Sequence, residues 1–330
     1  MKARPKRDDP LRLPAVAVVC NRAEKLVHGI DSAMARLADP AHDEALHEVR
    51  VSLRRLRVWL RAFESPLRIR PGQQRRLKRL TRRTTLARDT EVALAWSARL
   101  QPAKDGRTED GGFDRGLRLL RDESYGRLRR EFASAWPTLA AKLRRRVSSA
   151  SARGDRTRFL EALAEALRPY ARKLDAALEN ARRHPDTAHI HRLRIAGKNA
   201  RYLIEVAGVR RPEATRLVRE LVRLQDLAGR IHDLQRYMEL SEEVFRRRAL
   251  LRYRRLLQRY IDVGLDDRTL PKPGPEAAMV RLLSSCRRVA RRQARETAAF
   301  RKKYLGRKRP DCALLMHRFI AQLGGPMTGG

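Results

Sequence analysis

An all-helical fold is what this sequence predicts, on three observations. Apolar residues recur at three- and four-residue intervals, as in Leu46, Val49, Leu53, Leu56, Leu60 and Phe63, which is the period of a helix buried along one side. No stretch alternates apolar and polar residues convincingly enough for a strand. A helical pattern spanning Ala45 to Phe63 returns 144 residues later, so the chain reads as duplicated units packed about a pseudo-twofold axis.

The elements follow in order. Residues 1–10 are charged and proline-broken and read as a flexible basic tail. The spacing of Val16, Val19, Ala23, Val27, Ile30, Met34 and Leu37 predicts a first helix from about Leu11. Asp39-Pro40 offers an N-cap followed by proline at the first helical position, so a second helix is expected from Pro40 to about Glu64. Ser65-Pro66 and Pro71-Gly72 read as breaks, and a strongly cationic third helix runs from about Gln73 to Leu100. After a loop over 102–112, a fourth helix is expected from about Asp114, interrupted or kinked at Trp136-Pro137, and then continuing to about Val147. Residues 148–155 read as a hinge between halves. The order then repeats: a helix over 157–183, a second start at Pro185-Asp186-Thr187, a helix from His189 to about Val209, a break at Pro212 and a long helix from about Glu213. Whether that helix runs unbroken to Val263 is left open by the pattern. A loop over 266–275, a helix over 276–304, a short helix from Asp311 and a glycine-rich tail complete the chain.

The duplicated stretch carries the chemistry. At 100° per residue, His47, Arg50, Arg54, Arg57 and Arg61 fall on one narrow face, directly beside the apolar stripe rather than opposite it. A cationic column in that place belongs at the rim of a buried surface, aimed into a groove. In the second copy His191, Arg194, Lys198 and Arg201 take the places of His47, Arg50, Arg54 and Arg57, and the register persists through Leu77 with Leu221, Leu80 with Leu224, and Asp89 with Asp233. Two basic columns are thereby placed to face one shared cavity.

Composition narrows the partner. The 330 residues include 76 Lys+Arg against 38 Asp+Glu, a formal charge of +38, which strains a compact fold unless an anion offsets it. Arginine outnumbers lysine roughly five to one, and a guanidinium presents a planar fork of donors suited to phosphate oxygens. A hydrophobic fraction of 42% is too high for a disordered basic chain. Cys20, Cys286 and Cys312 form no close pair, so neither a disulfide framework nor a zinc site is indicated, and a reducing cytoplasm fits. No cleavable leader and no stretch of membrane-spanning length is evident.

These residues resemble the CHAD family, the conserved-histidine α-helical domain. The resemblance rests on His47, Arg50, Arg54 and Arg57 followed by Leu77, Leu80, Arg88, Asp89 and Val92. It is repeated in His191, Arg194, Lys198, Arg201, Tyr202 and Glu205 followed by Leu224, Gly229, His232 and Asp233. It implies an all-α pair of pseudosymmetric four-helix bundles forming one domain over 11–305, with repeats at 11–150 and 155–305, a basic central pore, and a short C-terminal helix and tail over 306–330. It also implies non-catalytic binding of inorganic polyphosphate, association with polyphosphate granules, and no cofactor. The ExExK signature of the triphosphate-processing CYTH domain carried by some relatives is absent. Thr85 departs from a glycine common in the pattern, which Gly229 keeps, and Asn199 stands where the first copy has Arg55.

A polyphosphate chain has no bases, so it is recognised through charge, donors and shape. Helix columns with donors about 5–6 Å apart suit an extended polyanion. Arg50, Arg54, Arg57, Arg61, Arg194, Lys198 and Arg201 are the leading contacts; Arg75, Lys78 and Arg82 are expected beside the first column, and Arg219 and Arg223 are weaker candidates. His47 and His191 read either as phosphate donors or as core histidines and spacers. Asp89 and Asp233 read as carboxylates orienting neighbouring arginines, and Tyr202 as a groove wall. A metal alternative would gather His47, Asp89, His191, His232 and Asp233, but no HExxH spacing occurs and the cationic surroundings oppose a divalent ion. A nucleic-acid binder is the main alternative function, although aromatics are only 5% and no helix-turn-helix or RNP motif is evident. A polyphosphate or nucleotide hydrolase lacks a P-loop and a nucleophile beside a base.

Overall fold

The computed structural model describes residues 10–37, 44–100, 113–153, 157–207, 211–263, 277–306 and 312–324. The described residues are almost entirely helical, and their only extended pairing is an isolated antiparallel bridge between Pro14 and Arg158. After a 3₁₀ turn at Pro10–Arg12 come α1 (Ala15–Arg36), α2 (Ala45–Ala62), the single turn α3 (Glu64–Leu67), α4 (Pro71–Leu100) and α5 (Phe113–Arg153). Then follow α6 (Phe159–Arg183), α7 (Thr187–Ile204), α8 (Pro212–Val263), α9 (Ala277–Phe300) with a π-helical turn at Arg301–Leu305, and α10 (Cys312–Gly324). The Asp39-Pro40 start and the loops at 102–112 and 266–275 lie outside the described residues, as do residues 1–9 and 325–330.

Three local expectations are revised, each for a physical reason. Helix α1 begins at Ala15 rather than Leu11, because Pro14 occupies the N-cap and the residues before it turn as 3₁₀. Pro71-Gly72 is not a break: proline at the first helical position gives up only an N–H that has no intrahelical partner anyway. Gln73 Oε1 reaches back to accept the Arg70 N–H at 2.9 Å, as in a capping box. The expected break at Pro212 is present, since α7 ends at Ile204 and α8 opens at Pro212, and α8 then runs without interruption to Val263. Helix α5 passes through Pro137 and absorbs residues 148–153 of the expected hinge. There the packing of Phe132, Trp136, Leu139, Leu143 and Val147, all buried, outweighs the lost backbone bond, and Trp136 Nε1 donates to Asp31 at 2.6 Å. By contrast, the predicted start of α7 is present as expected, with the Asp186 carboxylate accepting the His189 N–H at 2.8 Å.

The chain folds into two compact units, and each draws on both halves of the sequence. The first comprises Met1–Thr84, Leu128–Gly229 and Thr297–Gly330. Within it α1 packs on α2, α6 on α7 and on α10, and α2 meets α7. Trp59 anchors this core, 2% exposed, with Nε1 donating to the Val19 carbonyl at 3.0 Å and its ring 4.6 Å from Phe63 and 6.0 Å from Phe159. Ala15 N–H donates to the Thr157 carbonyl at 2.8 Å while Phe159 N–H donates to the Leu13 carbonyl at 2.9 Å. These bonds are reciprocal between positions 144 apart, since 13 corresponds to 157 and 15 to 159.

The second unit comprises Thr85–Arg127 and Arg230–Glu296. Its core gathers Trp96, Phe113, Leu117, Leu120, Leu234, Tyr237, Leu240, Val244, Leu282 and Val289. Helices α5 and α8 approach closely at Gly116, where an added Cβ would lie 2.6 Å from a Val244 methyl, so only glycine fits there without displacement.

Replacing Trp59 by alanine removes the largest fully buried side chain of the first unit. We expect Trp59→Ala to lose about 3–5 kcal/mol of unfolding free energy. Urea unfolding followed by circular dichroism checks this, and a loss below about 1 kcal/mol would contradict the placement of the core.

Candidate anion-binding site

The apolar stripes set the rotation of the two duplicated helices. On α2, Leu46, Val49, Leu53, Leu56 and Leu60 are wholly buried, and on α7 so are Ile190, Leu193, Ala200 and Leu203. With those faces committed to the core, the neighbouring cationic columns cannot turn fully into bulk water.

Arg50 is 7% exposed, and its guanidinium donates to the carbonyl of Thr84 on α4 and contacts the Thr84 hydroxyl at 3.3 Å. On α7 the equivalent Arg194 lies against α8: a Cβ added at Gly229 would be 3.6 Å from its Nε. Thr85, beside Thr84, corresponds to Gly229 at the offset of 144. Farther along α2, Arg54 and Arg57 are half-buried and Arg61 is exposed. Burial, followed by the charges of Arg54, Arg61 and Arg82, draws the Arg57 pKa below the usual arginine value. Tyr170 of α6 closes this end, where burial pushes its hydroxyl up to about 12. Beyond Arg61 the column opens on a cleft of about 610 Å³ whose walls include Phe63, Tyr170 and Lys173.

Lys198 is where the columns meet. Burial, followed by the positive charges of Arg54, Arg194, Arg201 and Arg50, pushes its pKa down to about 7. Two of those arginines stand on α2 and two on α7, so both helices contribute to one electropositive locus. Tyr202, 4% exposed, forms its wall, with the Arg55 and Arg201 guanidinium groups each 5.4 Å and the Lys198 ammonium 6.0 Å from the ring centre. Its hydroxyl is buried without a hydrogen-bond partner. Glu205 offsets part of the charge, accepting from Arg55 at 2.9 Å and Arg201 at 2.7 Å.

Other candidate residues divide. His191 is half-buried on α7, while His47 is exposed on α2. Arg82 of α4 is close enough to act on Arg57, whereas Arg75 and Lys78 are exposed and, among the described residues, no contact joins them to the column. Arg219 is exposed on α8, and Arg223 pairs with Glu220 at 2.6 Å. Asp89 lies in the second unit and accepts from Arg236 of α8 at 2.8 Å. Asp233 is half-buried in the same unit. Among the described residues no group of three or more His, Cys, Asp or Glu side chains is gathered to hold a metal. None of the described helices is long and apolar enough to cross a membrane.

Sequence reasoning assigned no role to Arg55 or Glu205, which tie α2 to α7. The available signal was a charge reversal: Glu205 occupies the place that Arg61 holds in the first copy.

The sequence model of the CHAD domain matches residues 23–242. This chain belongs to the CHAD family. The crystal structure of the CHAD domain from the plant Ricinus communis is similar, with a TM-score of 0.67 and 20% identity over 91% of this chain and 96% of that one. PptA from Streptomyces chartreusis is also similar, with a TM-score of 0.56 and 16% identity over 88% of this chain and 97% of that one. At these identities the likeness establishes the CHAD fold alone. No curated protein matches.

Lys198 makes the ligand-free site sensitive to pH. In the unfolded chain its ammonium stays charged to about pH 10.4, whereas in the fold the proton leaves at about 7. Between those values the unfolded chain binds more protons, so this contribution makes stability rise with pH from about 7 toward 10, and it is least favourable below 7. Lys198→Met is expected to raise the unfolding temperature of the ligand-free protein at pH 6 by a few degrees and to flatten that rise. Thermal unfolding across the range checks it, and an unchanged pH profile would place the lysine in solvent.

Proposed function

We propose that this chain is a non-catalytic binder of inorganic polyphosphate, held between the cationic columns of α2 and α7. The observation that carries this reading is the convergence of Arg50, Arg54, Arg194 and Arg201 around Lys198. Like charges gathered away from water repel one another and destabilise the fold, and a multivalent anion reverses both effects. Arginine forks spaced along a helix suit successive phosphate groups. The unpartnered Tyr202 hydroxyl supplies a neutral donor for a phosphate oxygen. Arg54, Arg57, Arg61, Arg82, Arg194, Lys198 and Arg201 are the proposed contacts, with His191 beside them. Arg50 has a second role, since its bond to Thr84 braces α2 against α4.

The duplicated-unit reading is supported by the reciprocal bonds between Leu13–Ala15 and Thr157–Phe159, and by the placing of Arg50 at Thr84 and Arg194 at Gly229, one residue from exact correspondence. On that basis the two columns act as halves of one basic passage. In a cell, such a binder would collect at polyphosphate granules in the cytoplasm.

Two measurements check the proposal. The variant Arg54→Gln/Arg57→Gln/Lys198→Gln should bind long-chain polyphosphate about a hundredfold more weakly, with helicity unchanged, because it loses three charge-assisted contacts. In competition, polyphosphate should displace duplex DNA at equal total charge. Preference for DNA would favour the nucleic-acid reading, and release of orthophosphate by the pure protein would make it a hydrolase.

Because a bound anion restores the Lys198 proton, binding should take up protons near pH 8. Affinity should therefore fall as pH rises from 6 to 9. Calorimetry in buffers of different ionisation enthalpy reads this directly, and zero proton uptake would remove Lys198 from the contact set.

A further inference from the structure

A second concentration of positive charge lies elsewhere in the first unit, on the opening turn of α4 and the later part of α5. A cavity of about 490 Å³ there is lined by Arg70, Arg76, Lys142, Arg145, Arg146 and Ser149, with no carboxylate in its wall. Many exposed arginines of this chain are paired with glutamate or aspartate, as Arg83 is with Glu131 at 2.8 Å and Arg183 with Glu179 at 3.0 Å. Among the described residues none of the five cations around this cavity is so paired. They come from two helices distant in sequence, so folding rather than a local charge run brings them together.

Backbone geometry adds to the side chains. Helix α4 opens at this cavity, with Gly72 in its first turn also in the wall. The first turn of a helix directs N–H groups and a partial positive charge outward. Pro71 has no N–H, and those of Gln73 and Gln74 donate to the Arg70 carbonyl at 2.9 and 3.4 Å, which leaves the Gly72 N–H as the backbone donor of this turn. Gln73 is turned back onto the Arg70 N–H and so leaves the mouth to donors. The lining thus offers five cationic side chains, a serine hydroxyl and the Gly72 N–H, a donor set matched to phosphate oxygens.

This place is distinct from the α2/α7 locus. Arg50 meets α4 at Thr84, and Gly72 precedes Thr84 by twelve residues, about 18 Å along the helix axis.

We infer that the cavity between the start of α4 and the later part of α5 is an independent site for a phosphate-bearing anion. The volume admits a short condensed phosphate such as tripolyphosphate, or the end of a longer chain. The inference does not require the α2/α7 reading, since it rests on different residues.

The test compares three full-length variants by titration calorimetry with tripolyphosphate and, separately, with long-chain polyphosphate. The cavity variant is Arg76→Gln/Arg145→Gln/Arg146→Gln, and the column variant is Arg54→Gln/Arg57→Gln/Lys198→Gln. A charge-matched control, Arg118→Gln/Arg254→Gln/Arg255→Gln, removes three exposed arginines of the second unit. We expect the column variant to retain one tripolyphosphate site and the cavity variant to lose at least tenfold in affinity for it, with the control unchanged. If long-chain affinity also falls tenfold in the cavity variant, the occupant is the end of a chain; if it does not, the occupant is a free short anion. Equal losses in the cavity variant and the control would reduce the effect to net charge and overturn the inference. Crystals of the unmodified protein soaked in tungstate, a dense phosphate analogue, give an independent reading: density between Arg76 and Arg145 supports the site, and density confined to α2 and α7 overturns it.

Discussion

Everything at the principal site follows from hydrophobic burial forcing like charges together. Each of α2 and α7 carries its cationic column beside its apolar stripe, so burying the stripe draws the middle of the column inward: Arg50 is buried and Arg54, Arg57, Arg194 and Lys198 are half-buried, while His47 and Arg61 stay exposed. Where the two helices pack, Lys198 comes among four arginines and its ammonium is disfavoured. The apolar contacts of Leu46, Leu53, Leu56, Leu193 and Leu203 supply the free energy that holds this repulsion in place.

Such an arrangement destabilises the ligand-free fold at the locus, a cost that a multivalent anion would offset on the proposed reading. Glu205 moderates the repulsion by accepting from both Arg55 and Arg201, yet it leaves Lys198 and Arg54 without a carboxylate of their own among the described residues. On the proposed reading, the anion would meet donors that folding has already brought together. The same logic applies more loosely to the cavity on α4 and α5, where exposed cations share a wall without counter-charge.

Much of the helical pattern was legible in the chain. Asp186 marks the start of α7 by its capping chemistry, and the 3.6-residue stripe of α2 places the arginine column correctly beside the core. The misreadings share one cause. Pro71 reads as a break and Pro137 as an interruption or kink, whereas the first turn of a helix tolerates proline and strong packing around Trp136 carries α5 past position 137 without interruption. The small and polar residues from 148 to 153 resembled a hinge, but Val147 and Ala150 are buried and continue the helix. Asp89 accepts from Arg236, 147 residues away in the chain, a pairing that no local pattern indicates.

From the sequence alone follow the all-helical class, the offset of 144, the excess of cations and the adjacency of column to stripe, because these depend on helical periodicity and composition, which are local. Tertiary structure alone decided that the two columns meet at Lys198, that Glu205 bridges them, and that Arg70 and Arg76 share a cavity with Lys142, Arg145 and Arg146. Those facts depend on which faces pack against which, and packing is settled by burial summed over the whole chain rather than by any single segment.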